Sequence, residues 1–336
     1  MNKQDYILSI NDLKTQFKIG KRVVKAVDGV TLNVRRGKTM GLVGESGCGK
    51  SVTAHSIMQL LPKAGSIKEG EIIFRPQNSE EFDIAKYRKT DKKLRNMRGR
   101  QISMIFQDPM SSLNPVYRIG DQIIESIIQH ERISKKAAIK RTVDMLEMLS
   151  IPQADKRIMD YPHQFSGGMK QRVMIAMGLI TNPELLIADE PTTALDVTIQ
   201  AQILELMQQM QEQLGFTIII ITHNMGIVAD MADDIAVMYM GKIMEFGAKE
   251  DIFLRPTHPY TRALLKSVPV LGNGGNDRLE PIRGTTPDPS DMPEGCSFMP
   301  RCDLATEKCK NAPPYEDVGN GHMVRCWYAK GGAANE

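Results

Sequence analysis

The sequence predicts an α/β fold built on a mostly parallel sheet, and three observations support this prediction. Strand-like and helix-like segments alternate along most of the chain, as they do in α/β domains. Residues 185–188 are continuously apolar, which is typical of a strand covered by helices on both faces. A glycine-rich loop separates the apolar strand Thr39–Val43 from a helix that begins near Lys50. The chain is therefore expected to form an α/β core.

The elements can be predicted in chain order from apolar periodicity. Residues 6–43 alternate as strands do, with a turn at residues 35–37, and the helix from Lys50 is expected to run to Leu61 and stop at Pro62. The later predicted elements are strands at 71–74, 185–188, 216–221, 235–240 and 242–246, and helices at 134–150, 169–180 and about 199–214.

Composition sets limits on the function. The chain has 336 residues, 41% of them hydrophobic and 25% charged, which is typical of a soluble globular protein. Its net charge of +3 is too small to indicate nucleic-acid binding, and no apolar run approaches the roughly 20 residues of a membrane span. Because the first residues also lack a secretory signal, we expect a cytosolic protein that reaches a membrane only through a partner.

Two regions differ in composition from the rest. Residues 76–100 are rich in lysine and arginine, and this favours a solvated surface insertion, with a patch facing acidic lipids or an acidic partner as the alternative. After Leu265, glycine, proline, aspartate and asparagine predominate. We therefore predict a core domain at 1–265 and a small irregular extension at 266–336.

The loop after the first buried strand carries the phosphate-binding pattern G-x-x-x-x-G-K-[S/T]. Its position between a strand and a helix is the context in which backbone N–H groups and a helix N-terminus bind phosphates. Lys50 is expected to neutralise the β- and γ-phosphates, and the Ser51 hydroxyl to bind Mg²⁺. The predicted nucleotide-binding residues here are Gly44, Ser46, Gly47, Cys48, Gly49, Lys50, Ser51 and Val52.

Two acidic residues follow the apolar strand at 185–188. Asp189, at the strand end, is predicted to join the Mg²⁺ shell. Glu190 is one residue further on, where its carboxylate can take a proton from an attacking water. Together with the phosphate-binding loop, the pair predicts an ATP-hydrolysing site.

Residues 165–172, Phe-Ser-Gly-Gly-Met-Lys-Gln-Arg, resemble the signature motif of ABC transporter ATPases. Phe165 and Met169 stand where the family usually has leucine and glutamine. In the family, the positions of Ser166, Gly167 and Gly168 contact phosphate. The resemblance therefore implies that this segment still binds nucleotide.

Other motifs stand in the family's order between residues 6 and about 265. Gln107 resembles the Q-loop glutamine that contacts Mg²⁺ and water, and Asp196 belongs to a segment resembling the D-loop. His223 resembles the switch histidine that bonds the γ-phosphate. Phe17 is the candidate for stacking on adenine, with Val24 sharing that surface or with plain strand packing as the alternative. The resemblance implies an ABC-type P-loop NTPase core with an antiparallel β subdomain and a helical subdomain.

Several segments are similar to one group within that family, the ATPases of dipeptide and oligopeptide permeases. They are residues 106–115, 188–198 and 255–261, and the four-cysteine extension. The resemblance implies an ATPase that drives peptide import from the cytoplasmic face of the membrane. Its implied partners are a second, similar ATPase subunit, two membrane permease subunits and an extracytoplasmic solute-binding protein. Each ATP is expected between Lys50, Ser51 and Gln107 of one subunit and the signature loop of another.

Alternatives remain open on the residues alone. Nickel and glutathione importers share this architecture. A soluble ABC ATPase acting on nucleic acid or ribosomes is a different class, but such proteins usually carry two cores or a long coiled-coil insertion, which this sequence lacks. A regulatory module that binds ATP without hydrolysing it is disfavoured by Glu190 and His223.

The extension contains Cys296, Cys302, Cys309 and Cys326, with spacing C-x5-C-x6-C-x16-C. The spacing differs from common zinc knuckles, and four thiolates suit either a [4Fe–4S] cluster or zinc, with free thiols as the third possibility. Resemblance to the permease group favours the cluster, as a structural staple. Because the nucleotide motifs end at His223, the sequence also predicts that hydrolysis does not depend on this extension.

Overall fold

The computed structural model describes residues 3–108, 112–193, 195–267, 282–290 and 292–329. The strands are β1 Tyr6–Ile19, β2 Arg22–Arg35, β3 Thr39–Val43, β4 Gly65–Phe74, β5 Phe82–Asp83, β6 Ile102–Ile105, β7 Leu185–Asp189, β8 Thr217–Thr222, β9 Asp234–Tyr239, β10 Lys242–Ala248, β11 Glu316–Asp317 and β12 Met323–Val324. The α-helices are α1 Lys50–Ile57, α2 Lys92–Met97, α3 Ile119–His130, α4 Lys135–Met148, α5 Ala154–Arg157, α6 Gly167–Leu179, α7 Val197–Leu214, α8 Met225–Met231, α9 Lys249–Leu254 and α10 Pro259–Lys266.

Two sheets organise the described residues. The larger has the order β11-β12-β10-β9-β3-β8-β7-β6, in which the neighbours from β9 to β6 run parallel and those from β11 to β9 run antiparallel. The smaller sheet is antiparallel, in the order β2-β1-β4-β5. The predicted combination of a mostly parallel sheet with an antiparallel β subdomain is therefore confirmed.

The central strands explain why the sequence folds this way. Every residue of β3, β7 and β8 is buried, because helices cover both faces of the parallel sheet. Their mostly apolar side chains can therefore be buried against helices on either face of the sheet. The carboxyl ends of these strands meet at one edge, and the loops that follow them form the site described below.

The helix after the glycine-rich loop is shorter than the sequence suggested. It ends at Ile57, and the following residues form turns with Gln59 at a positive φ of 51°. Arg98 accounts for this end: its guanidinium donates to the backbone oxygens of Met58 and Gln59, at 2.8 and 3.0 Å. Arginine side chains commonly satisfy the orphan carbonyls at a helix C-terminus. Part of the basic segment 76–100 is therefore structural, and Leu61 lies outside the helix.

Helices α3, α4 and α5 form a helical subdomain that packs on α6. Its apolar core includes Ile123, Leu146 and Ile175, all fully buried. Helix α4 begins as predicted, since the Ser134 hydroxyl accepts from Ala137 N at 3.2 Å. This packing fixes the start of α6, where the signature residues stand.

The C-terminal extension joins the main sheet. Strand β12 pairs with β10, and the buried carboxylate of Glu245 in β10 accepts from His322 Nε2 at 2.8 Å. The same carboxylate accepts from the backbone N–H groups of Thr257 and His258, at 2.7 and 3.0 Å. The two-domain division at residue 265 stays a prediction, and α10 crosses it.

An aromatic cluster seals the extension against the core. Phe298 of the extension packs on the rings of Tyr239 and Tyr260, with centroids 5.4 and 5.3 Å apart.

Among the described residues, no helix is long and apolar enough to cross a membrane.

Candidate active site

The glycine-rich loop lies between β3 and α1, and its glycines are required by close backbone approach. A Cβ at Gly44 would lie 2.1 Å from the backbone oxygen of Met238, and one at Gly49 would lie 2.3 Å from that of Ala26. Gly47 has a φ of 77°, a conformation that other residues rarely adopt. The loop can therefore curl tightly enough for its N–H groups to converge on phosphate oxygens.

Lys50 and Ser51 supply the positive charge and the hydroxyl of the loop. The Lys50 ammonium lies across the loop, donating to the backbone oxygens of Gly44 and Glu45 at 2.7 and 2.9 Å. The Ser51 hydroxyl donates to Asp189 Oδ1 at 3.1 Å. A hydroxyl and a carboxylate so placed suit a Mg²⁺ ion and its water shell.

Glu190 is the centre of a hydrogen-bond network. Its Oε2 accepts from Gln107 Nε2 at 3.0 Å and from the Thr193 hydroxyl at 2.9 Å, and its Oε1 lies 3.0 Å from His223 Nδ1. The backbone of Glu190 has a positive φ of 47°, an uncommon conformation for a glutamate. Gln107, Glu190 and His223, all three of the predicted catalytic residues, are therefore brought together although they come from three separate loops.

The two carboxyl groups differ electrostatically. Burial raises the pKa of Asp189, and the hydrogen bond from Ser51 acts against it. Burial also acts to raise the pKa of Glu190, but hydrogen bonds from His223 and Thr193 outweigh it and bring that pKa below its ordinary value. Glu190 is therefore ionised at neutral pH, as a general base must be.

The signature residues lie at the start of α6. The Ser166 hydroxyl caps this helix by accepting from Met169 N at 3.3 Å, and a Cβ at Gly168 would lie 2.7 Å from Ile199 of α7. Asp196 caps α7 by accepting from Ile199 N at 2.9 Å, while the preceding D-loop residue Ala194 lies outside the described residues. Phosphate contacts by these residues stay a prediction.

Phe17 is a half-buried residue of β1 that faces Val24 across the strand pair. Its ring lies against Gly65, where a Cβ would come within 2.8 Å of it. The ring therefore makes strand packing contacts, and its adenine-stacking role stays a prediction. Val52 is partly buried against the apolar core of the β subdomain.

Cys48 in the loop is buried, and burial raises the pKa of its thiol. A thiol in this state is a poor nucleophile, so we interpret Cys48 as a small residue that fits the loop.

The four cysteines of the extension line a single cavity of about 120 Å³, together with His258 and Phe298. None of these four cysteines is in a disulfide, and burial raises the pKa of the Cys302 thiol to about 11. In the parts of the chain that the structure describes, no group of three or more His, Cys, Asp and Glu side chains is placed to hold a metal ion. The described side chains therefore do not show the predicted iron–sulfur cluster.

Sequence reasoning missed two contacts of the site. Thr193 stands three residues after Glu190, and its neighbourhood offered no signal beyond that proximity. Arg301 of the extension donates two hydrogen bonds to Glu45 of the glycine-rich loop, at 2.6 and 3.0 Å. This contact joins the extension to the nucleotide loop, and the independence of hydrolysis from the extension stays a prediction.

Comparison with known proteins gives two family matches. Residues 27–193 match the family described as ABC transporter, and residues 244–309 match the oligopeptide/dipeptide transporter C-terminal region. The first match spans the glycine-rich loop, Gln107, the signature and Glu190. The second spans the segment that contributes Tyr260, Phe298 and Arg301.

Similar proteins are found along nearly the whole chain. The dipeptide transport ATP-binding protein DppD of Bacillus subtilis is 48% identical over 323 residues, covering 96% of this chain and 94% of the relative. The oligopeptide transport ATP-binding protein OppD of the same organism is 49% identical, covering 96% and 88%.

Two solved structures share the fold. A dimeric ATP-binding cassette in a post-hydrolysis state bound to ADP and phosphate is 26% identical, with a TM-score of 0.63, over 72% of this chain and 98% of that one. The CbiO1 protein of Clostridium perfringens, part of an ABC transporter complex, is 29% identical, with a TM-score of 0.62, over 75% and 92%.

Proposed function

The chain belongs to the ABC transporter family, in the group of dipeptide and oligopeptide transport ATP-binding proteins, and from this premise we propose that it hydrolyses ATP to energise peptide import. One observation carries the catalytic part of the proposal. The carboxylate of Glu190 is bonded to Gln107 and His223 at the carboxyl edge of the sheet, and the neighbouring Asp189 is bonded to Ser51 of the phosphate-binding loop.

These residues divide the work of hydrolysis. The backbone N–H groups of the loop and the Lys50 ammonium hold the phosphates and balance their charge. Ser51 and Asp189 would hold Mg²⁺, which supplies further charge neutralisation when bound. The ionised Glu190 accepts a proton from the attacking water, while Gln107 and His223 fix the direction of its carboxylate.

We propose that the signature residues of another subunit also contact the phosphates bound at this loop. Ser166, Gly167 and Gly168 stand at the N-terminus of α6, which suits binding of an anion, and the Ser166 hydroxyl accepts from Met169 N within the same chain. A related cassette forms a dimer with ADP and phosphate bound, which supports a paired site here. The pair is proposed to contain a similar sister subunit.

An apolar groove beside the Q-loop supports a membrane partner. It has a volume of about 250 Å³ and is lined by β6, α3 and α6, including Met104, Phe106, Met174 and Met177. Phe106, which precedes Gln107, is 41% exposed. Methionine-rich apolar grooves suit an amphipathic helix of a partner. We assign the groove to a cytoplasmic segment of a permease subunit, and we propose that the chain acts at the cytoplasmic face of the membrane.

The experiment that tests this function is reconstitution in lipid vesicles with the two permease subunits, the sister ATPase and the solute-binding protein. ATP hydrolysis should rise when a dipeptide or oligopeptide is supplied with the binding protein, because closure of the ATPase pair is coupled to transport. Stimulation by nickel or glutathione alone would reassign the solute. Stimulation by DNA or ribosomes and none by the membrane subunits would overturn the transporter function.

We also propose that Cys296, Cys302, Cys309 and Cys326 hold a [4Fe–4S] cluster. Their placement around one cavity supports this, and a cubane cluster spreads four thiolates around four irons, farther apart than the ligands of a single ion. When bound, the cluster would supply a covalent staple for a segment with few apolar residues.

Anaerobic purification tests the cluster. Protein carrying it should be brown with about four irons per chain, and Cys302→Ser should bleach the colour. Colourless protein with one zinc per chain, or with four alkylatable thiols and no metal, would contradict the cluster.

A further inference from the structure

The C-terminal extension reaches the phosphate-binding loop through one arginine. The Arg301 guanidinium meets the Glu45 carboxylate in a two-point contact, with Nη1 to Oε2 at 2.6 Å and Nη2 to Oε1 at 3.0 Å. The side chain of Arg301 is only 4% exposed and that of Glu45 is 25% exposed. Bidentate pairs between arginine and a carboxylate are among the stronger hydrogen-bonded contacts in proteins, and burial increases their effect.

Arg301 is itself held in position. Its Nε donates to the backbone oxygen of Arg283 at 2.9 Å, and its Nη1 also donates to the hydroxyl of Tyr239 at 3.3 Å. Its guanidinium carbon lies 5.7 Å from the centre of the Tyr239 ring. The pair with Glu45 is therefore a fixed contact and not one orientation of a mobile surface side chain.

Two further bonds hold the outer side of the same loop. Glu45 N donates to the hydroxyl of Tyr260 at 3.0 Å, and Cys48 O accepts from Gly241 N at 2.8 Å. Tyr260 packs on Phe298, three residues before Arg301. Arg301, Tyr260 and Gly241 therefore all come from beyond His223, the last of the nucleotide motifs.

The contact affects nucleotide binding in two ways. A carboxylate on a phosphate-binding loop repels phosphate oxygens, and the Arg301 charge offsets that of Glu45. The pair also fixes the Glu45 peptide, whose oxygen accepts from Lys50 at 2.9 Å, so the loop has less conformational freedom to lose when phosphates bind.

We propose that Arg301 is a positioning residue of the nucleotide site, through which the cysteine-bearing extension sets the affinity of the chain for nucleotide. This inference rests on the proposed ATPase function. It gives the extension a role in the reaction although no predicted nucleotide contact comes from it.

The test is calorimetric titration of the full-length chain with ADP in the presence of Mg²⁺, so that hydrolysis does not interfere. Arg301→Gln should raise the Kd for ADP roughly tenfold, in line with exposing an unpaired charge beside the phosphates. The double variant Glu45→Gln/Arg301→Gln, which removes both charges, should recover most of that loss. Arg301→Lys keeps the positive charge but loses the two-point contact with the carboxylate, so its Kd for ADP should lie between those of the wild type and Arg301→Gln.

Lys310→Gln is the matched control. Lys310 lies in the same extension, its side chain is 61% exposed, and its partner Glu307 is 86% exposed, so this variant should bind ADP with the Kd of the wild type. An unchanged Kd in both Arg301→Gln and Arg301→Lys would overturn the proposal. So would an equal loss in the single and double variants, because the effect would then come from altered folding and not from charge. Failure of the wild type itself to bind ADP would instead refute the ATPase function.

Discussion

At the scale of single residues, the hydrogen bonds to Glu190 meet two requirements that hydrolysis places on a general base. Its carboxylate accepts from Gln107 and Thr193, and faces His223. A base must be ionised, and it must be fixed toward the water that it deprotonates. The network provides both conditions, and each partner can be removed separately.

We expect Glu190→Gln to retain nucleotide binding and to lower turnover by about 10²-fold or more, because an amide cannot accept the proton. Lys50→Ala should instead weaken binding of ATP, since the ammonium neutralises the phosphates. Steady-state hydrolysis and ADP titration separate the two effects. Near-normal turnover in Glu190→Gln would remove that residue from the mechanism.

Thr193→Val should move the acid limb of the pH–rate profile to higher pH. Burial acts to raise the pKa of Glu190, and the Thr193 hydroxyl is one of two donors that lower it. Without this donor the base becomes protonated at a higher pH, so the loss of activity on acidification begins earlier. At neutral pH turnover should stay within about tenfold of the wild type. Thr198→Val, at an exposed position in α7, should leave the profile unchanged.

At the scale of elements, the sequence predicted those whose signals are local. The runs at β3, β7 and β8 and the Ser134 cap were found because burial on both faces and helix capping each leave a short pattern. The end of α1 was misplaced because Arg98, 40 residues further on, satisfies the carbonyl of Met58. The pairing of β12 with β10 joins residues still farther apart, such as Glu245 and Val324, and two-residue strands have no periodicity to detect.

Glu245→Ala should destabilise the fold by about 3–5 kcal/mol, because it leaves His322 and two backbone N–H groups without their buried acceptor. Burial acts to raise the pKa of Glu245, but these hydrogen bonds bring it below the ordinary 4.5. Its contribution to stability is therefore complete above that value and is lost as the pH falls through the lower folded pKa. Urea unfolding across this range measures both effects.

The control for that prediction is Glu250→Ala, at an exposed position in the first turn of α9. It should change the free energy of unfolding by less than about 0.5 kcal/mol. If the two variants lose equal stability, the hydrogen bonds to Glu245 from His322 and from the backbone of residues 257–258 contribute nothing specific.

At the scale of the whole molecule, the predicted family and α/β fold are confirmed by relatives that match nearly the full chain and by structures of the same fold. The nucleotide residues could be found because each motif is contiguous. The arrangement of the extension against the core could not be predicted from the sequence. Its partners Glu45 and Arg301 are 256 residues apart, and no sequence pattern links them.

The groove beside Gln107 yields a prediction about assembly. Met177→Glu should weaken association with the membrane subunits at least tenfold, because a carboxylate would be buried against an apolar partner. Met177→Leu should assemble normally, and both variants should keep the slow hydrolysis of the isolated chain. Co-purification from membranes measures the effect. Leu254→Glu, at a site that is 76% exposed in α9, is the control, and equal losses at both sites would refute the groove as the docking surface.

The pair between Arg301 and Glu45 has a consequence for synthesis of the chain. A ribosome completes every nucleotide motif by residue 223, yet Arg301, which bonds Glu45 of the loop, is made 78 residues later. A nascent or prematurely terminated chain should therefore hold nucleotide weakly. Full affinity then marks a chain that extends past Arg301, and a subunit truncated before that residue competes poorly for ATP with a longer one.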